Sequence, residues 1–246
     1  LGCLVVMLGL LAEQCASYST IRVVNCSDFK NLVFEDIDLL NITEAILIKG
    51  CDKSEAELLE IKHILGSPDN LKARYGHMDL NIFPTGPFHL QLGSTLVPLK
   101  AIGSTSLSSA IDRIGENSFA FGTTRENPGY TIVADALRNG RRWRKKLRES
   151  GEETDLFRSY FRFFDAHIFS MGGPKSGAGF HNHQSAWLFL CSGRKEWIIA
   201  PWDQSMDIDT MWSSLSAMKE KEDLSILFNS SSYIHAIQEA GDIMLL

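Results

Sequence analysis

The sequence predicts a mainly β protein with flanking helices, an α+β chain whose strands build a sandwich or barrel of jelly-roll type. Three observations carry this expectation. From residue 160 onward, short runs rich in aromatic and aliphatic residues recur, separated by Gly, Pro and Ser turns. Earlier in the chain, "SEAELLEIKHILG" shows the apolar spacing of an amphipathic helix. The 246 residues, 44% hydrophobic and 22% charged, suffice for one sizeable core with an extension.

In chain order, "LGCLVVMLGLLA" carries no charge before Glu13 and is followed by the small-residue stretch "EQCASYS". That is the pattern of the back half of a secretory signal peptide. Residues 1–17 are expected to be a partial signal, cleaved after Ser17, with Cys15 and Ser17 at the two small-residue positions. No basic segment precedes the apolar run, so the sequence is expected to begin inside the signal. A buried first strand or helix is the alternative. The sequons at Asn25, Asn41 and Asn229 agree with a glycoprotein of the endoplasmic reticulum lumen or secretory pathway. Cys26 and Cys51 flank one early segment and can pair in an oxidising lumen, whereas Cys191 reads as a buried thiol in an apolar run.

Residues 18–159 read as an N-terminal extension supporting the barrel. Strands are expected at "TIRVVN", "LVFEDIDL" and "EAILIKG", the last ended by Gly50. Ser54 with Glu57 three residues on has the form of a capping box. The helix it would open carries Leu58, Ile61 and Leu65 on one face and stops at Gly66. Residues 78–105 alternate strand and turn around Pro84, Pro87 and Pro98. Residues 131–149 read as two helical pieces around Gly140, with seven basic side chains between Arg138 and Arg148. That cluster is expected to be a solvated helix face. A nuclear-import signal is its alternative reading, and a nuclear or cytoplasmic location would follow if residues 1–17 are not a signal.

Net charge is -6, so the chain has no nucleic-acid signature, and no apolar run approaches the ~20 residues of a membrane span. The expected partner is a protein, as substrate or as scaffold ligand, of unknown identity.

Residues 160–246 are the expected barrel core. Strands are read at "YFRFFDAHIFSMGG", "AWLFLCSG" and "KEWIIAPW", with a turn at Ser192-Gly193. A helical insertion follows at 207–228. "SYIHAIQEAGDIMLL" closes the chain as two strands around Ala240-Gly241. Within "FHNHQSAWLFLCSGRKEW", His181 and His183 stand two apart, which on a strand puts both on one face. Neutral imidazoles are good ligands for iron, zinc, copper or nickel.

The segment "FSMGGPKSGAGFHNHQSAWLFLCSGRKEWIIAPW" resembles the core of a Jumonji-C (JmjC) domain, a branch of the Fe(II)/2-oxoglutarate oxygenases. The shared order is a Gly-rich turn, His-x-acid, an apolar strand, Gly-x-Lys-x-Trp and a strand ending at Pro. The resemblance implies a double-stranded β-helix of the cupin group. It implies His181 as a metal ligand, Lys195 as the cofactor-binding lysine that meets a carboxylate of 2-oxoglutarate, and Trp197 as a packing aromatic. It assigns no further catalytic residue. Three departures stand out. His183 occupies the place of the carboxylate ligand, leaving two neutral imidazoles as the metal donors in this segment. Ala178 occupies a place where related hydroxylases often carry a Thr. The strand bearing the family's distal His would follow "GDIMLL", so the barrel is expected to be truncated before its last strands. The Phe-His-x-His variant behind a leader is most similar to a lumenal branch of the family. Two functions follow: an Fe(II)/2-oxoglutarate-dependent dioxygenase acting on protein side chains, or a catalytically inactive lumenal scaffold. A germin-like metal site would need a Glu that is absent between His183 and Gly193.

Overall fold

Short apolar runs, alternating in β12 (Ile234–Glu239) and continuous in β10 (Ala186–Phe189), form the strands, and turn residues end them. The computed structural model describes residues 3–7, 21–29, 45–84, 89–92, 95–98, 103–113, 118–122, 132–136, 166–173, 176, 186–199 and 234–246. The strands are β1 (Cys3–Met7), β2 (Arg22–Asn25), β3 (Ile46–Lys49), β4 (Asp79–Pro84), β5 (His89–Leu92), β6 (Thr95–Pro98), β7 (Gly103–Ser106) and β8 (Ser118–Gly122). They continue with β9 (Ala166–Gly172), β10 (Ala186–Phe189), β11 (Arg194–Ile199), β12 (Ile234–Glu239) and β13 (Ile243–Leu245). The helices are α1 (Cys51–Ser54), α2 (Ala56–Leu65), α3 (Pro68–Tyr75) and α4 (Leu107–Arg113), and residues 26–29 and 132–136 are also helical. The chain is an α+β protein.

Nine strands share one sheet in the order β2-β3-β13-β10-β1-β9-β8-β4-β7; β11 pairs with β12 and β5 with β6 in separate ladders. Within the large sheet β2 and β3 run parallel, and the other described pairs are antiparallel. Cys3–Met7, inside the stretch expected to be a leader, lies as β1 between β9 and β10.

Residues two apart on a strand share a face. Ile46 and Ile48 of β3, Trp187 and Phe189 of β10, and Ile243 and Leu245 of β13 point to one side of the sheet. There they meet Leu58, Ile61, Ile64 and Leu65 of α2 and Leu71 and Tyr75 of α3. Full burial of each such aliphatic side chain stabilises the fold by about 2 kcal/mol, so the expected apolar face of α2 is what docks it. Gly66 ends α2 as expected. Its backbone approaches the Cys191 carbonyl so closely that a Cβ would collide with it.

The start of α2 differs from expectation. Gly50, in the left-handed region, opens the short α1 at Cys51. Cys51 is held there by a disulfide to Cys26 and by donation from its N–H to the Gly241 carbonyl at 2.9 Å. Ser54 is thereby taken up as the last residue of α1. The extended Glu55 becomes the cap of α2, its side chain making no capping bond to the helix. The helix α3 follows from Ser67, whose hydroxyl accepts from Asn70 N–H at 3.3 Å, with Pro68 at the first helical position. Cys191 is buried and outside the disulfide, as expected. The expected strand at "LVFEDIDL", the basic cluster at 138–148 and the helix at 207–228 lie outside the described residues.

Candidate functional site

The second face of the large sheet carries the candidate site. Leu47, Leu188, Leu190 and Met244 project from it and pack with Ala236, Trp197 and Ile199 of the β11–β12 ladder. Two turns link these layers. The chain leaves β10, turns at Ser192-Gly193 and enters β11; it leaves β12, turns at Ala240-Gly241 and enters β13. Each turn therefore carries the chain from one sheet to the other rather than closing a hairpin. The turns are tied together: Gly241 N–H donates to the Leu190 carbonyl at 2.7 Å, and Leu190 N–H donates to the Asp242 carbonyl at 3.1 Å. Gly241 adopts φ 101°, and a Cβ there would run into the Asp52 carboxylate. Only glycine meets both demands.

The register of β11 with β12 decides which way Lys195 faces. Lys195 stands opposite Gln238, and Trp197 opposite Ala236. Residues directly opposite in an antiparallel pair lie on the same face. Gln238 and Ala236 are buried, at 0% and 5% exposure, so Lys195 and Trp197 belong to the inner face. The Lys195 ammonium lies over the Trp197 ring, 3.9 Å from its centroid. Such an arrangement holds a cation by the ring's negative face and keeps part of it out of water.

Trp197 is itself anchored. Its Nε1–H donates to Gln238 Oε1 at 3.0 Å. Gln238 Nε2 donates to the Leu188 carbonyl at 2.8 Å and to the Asp242 carbonyl at 2.9 Å. On the outer face of the same ladder, His235 Nε2 and Glu196 Oε1 lie 2.7 Å apart, and Arg194 reaches Glu239 at 3.6 Å. These exposed pairs contribute little to stability.

The arrangement suits recognition of a small anion. An ammonium on a strand, with its stem along an apolar wall, meets a carboxylate as a compact point charge. Of the residues expected from sequence, Lys195 and Trp197 are brought together on one inner face. His181, His183 and Ala178 lie outside the described residues. Among the described residues, no group of three His, Cys, Asp or Glu side chains is arranged to hold a metal. Also among them, no helix is long and apolar enough to cross a membrane.

Gln238 was not expected from the sequence. Its signal was available: along β12, Ile234, Ala236 and Gln238 are buried while His235 and Glu239 are exposed, so a polar residue sits in phase with the apolar face. Comparison with protein-family models and with curated proteins finds no match to this chain.

Proposed function

We propose that residues 160–246 belong to a JmjC-type double-stranded β-helix that keeps the lysine for a small dicarboxylate and has lost most of its oxygenase chemistry. The observation that supports this best is the placement of Lys195, half-buried over Trp197 on the inner face of a ladder packed against a second sheet. The two sheet-changing turns are compatible with a jelly-roll path. On the chemistry of the donor set, His181 and His183 suit Fe(II). A third neutral donor in place of the carboxylate would leave the site short of one negative charge. Fe(II), when bound, would supply the oxygen chemistry. This chain's own part is to orient 2-oxoglutarate through Lys195.

The compartment proposed is the endoplasmic reticulum lumen. The Cys26–Cys51 disulfide supports it, because such bonds persist in oxidising compartments. Asn25 heads a sequon at the exposed end of β2, where its Nδ2 donates to the exposed Asp28 carboxylate at 3.3 Å. A non-catalytic module that binds a protein partner is the second reading, favoured by His183 and Ala178 at the two positions where ligand and cosubstrate contacts are expected.

The test is uncoupled 2-oxoglutarate turnover by the full chain with Fe(II) and ascorbate. Loss of one hydrogen bond to a charged group weakens binding by roughly 10- to 100-fold. Little succinate is therefore expected from the unmodified chain, with a gain in a His183→Asp, Ala178→Thr double variant. Brisk succinate production by the unmodified chain, abolished by Lys195→Ala, would establish a working oxygenase instead.

A further inference from the structure

We infer that Gln238 is a positioning residue: through Trp197 it fixes where the Lys195 ammonium stands. The inference rests on the reading of Lys195 as a dicarboxylate anchor. The amide of Gln238 has no freedom to turn over. Two main-chain carbonyls, of Leu188 and Asp242, lie at 2.8 and 2.9 Å; an amide oxygen turned toward them would set acceptor against acceptor, so Nε2 must face them. Oε1 is then forced toward Trp197, and takes its indole N–H at 3.0 Å. The side chain is completely buried, so water does not compete for any of these bonds. One amide thus joins β12 to β10, to the turn before β13, and to the indole of β11.

The indole cannot rotate about its own bonds without breaking that hydrogen bond inside an apolar layer. Its ring therefore presents a fixed face to Lys195, 3.9 Å from the ammonium. Lysine is otherwise a flexible four-carbon stem with several rotamers. A fixed ring beneath the ammonium narrows those rotamers before any ligand arrives, which is how a binding group is made ready in advance.

Reductive methylation of the full chain, read lysine by lysine by mass spectrometry, tests this without a ligand. Exposed Lys53 is the internal reference. Lys195 is expected to react more slowly than Lys53 in the unmodified chain. Gln238→Met and Trp197→Phe remove the same hydrogen bond from its two ends, and each is expected to speed Lys195 by about fivefold, the equivalent of one typical hydrogen bond. Trp197→Phe keeps a ring in place and carries the test if Gln238→Met does not fold. Leu71→Ala, on the other face of the sheet, lowers stability without touching this network and is expected to leave the Lys195 rate unchanged. The inference is overturned if Lys195 reacts as fast as Lys53 in the unmodified chain, if neither folded variant changes its rate, or if Leu71→Ala accelerates it equally. Calorimetry with 2-oxoglutarate on the same samples separates the two ideas. A slow, network-dependent Lys195 in a chain that binds no 2-oxoglutarate supports the positioning role and removes the dicarboxylate reading.

Discussion

Lys49 donates to the carboxylate of Asp242, joining the end of β3 to the turn before β13 across 193 residues of sequence. The same carboxylate accepts from Gly50 N–H and from Glu239 N–H, each at 2.9 Å. Its side chain is 5% exposed, against 35% for Lys49. The two partners should therefore respond differently to removal. Asp242→Ala leaves three donors without their acceptor and is expected to cost about 3 kcal/mol. Lys49→Met leaves the carboxylate with its two backbone donors and is expected to cost about 1 kcal/mol, since the ammonium is partly solvated. Urea unfolding of the two variants measures the difference; equal losses would show that the carboxylate's backbone bonds contribute nothing.

The disulfide closes a sequence separation of 25 residues between Cys26 and Cys51. Restricting the unfolded chain over a loop of that length stabilises the folded state by about 3 kcal/mol. A Cys26→Ala, Cys51→Ala double variant should lose that amount. It should lose it whether or not reductant is present, while the unmodified chain should fall to the same stability only when reduced. Chemical unfolding with and without dithiothreitol reads both.

Tyr75 sets an alkaline limit. Burial, and then its 2.5 Å hydrogen bond to Asp135, raise its pKa well above the ordinary tyrosine value. In the unfolded chain it titrates near 10. The folded state therefore holds the phenol proton more tightly. The stabilisation is fully present below about pH 10 and is lost as pH rises toward the folded-state value. Stability should fall between about pH 10 and 12, and Tyr75→Phe should flatten that part of the curve. Thermal unfolding across that range checks it; parallel curves for the two chains would rule Tyr75 out as the cause.

The proposed leader at residues 1–17 and the first sequon make a joint prediction about maturation. A chain processed in the secretory pathway should begin at Tyr18 and lose mobility-retarding glycan from Asn25 on enzymatic deglycosylation. N-terminal sequencing and an Asn25→Gln variant read the two events separately. A mature chain that retains Cys3–Met7 would instead make β1 a permanent strand between β9 and β10.

Local chemistry alone determined where much of the chain becomes helix or strand. The spacing of Leu58, Ile61 and Leu65 marked the face on which α2 docks, and Gly66 its end. The strands on either side of Ser192-Gly193 and Ala240-Gly241 were legible from their apolar runs and turn residues. Lys195 and Trp197 stood out only through the resemblance of "GRKEW" to the Gly-x-Lys-x-Trp of the JmjC pattern. Partnership was a different matter. "AWLFLC" is apolar at every position, and its residues 187–191 are buried on both faces, so no alternation reveals its register or its neighbours. Tertiary closure decided that β10 pairs with β13 while β11 pairs with β12, across the turns rather than through them. It also overrode Ser54 as a cap, because the disulfide and the Gly241 carbonyl hold Cys51 and start a helix too early. And it turned Gln238 from one more polar residue into the link between Trp197 and two carbonyls. Caps, turns and periodicity act within a few residues, where the sequence can be read directly. The bonds that assemble the candidate site join residues 41 and 50 positions apart, and their partners exist only once the sheets have closed.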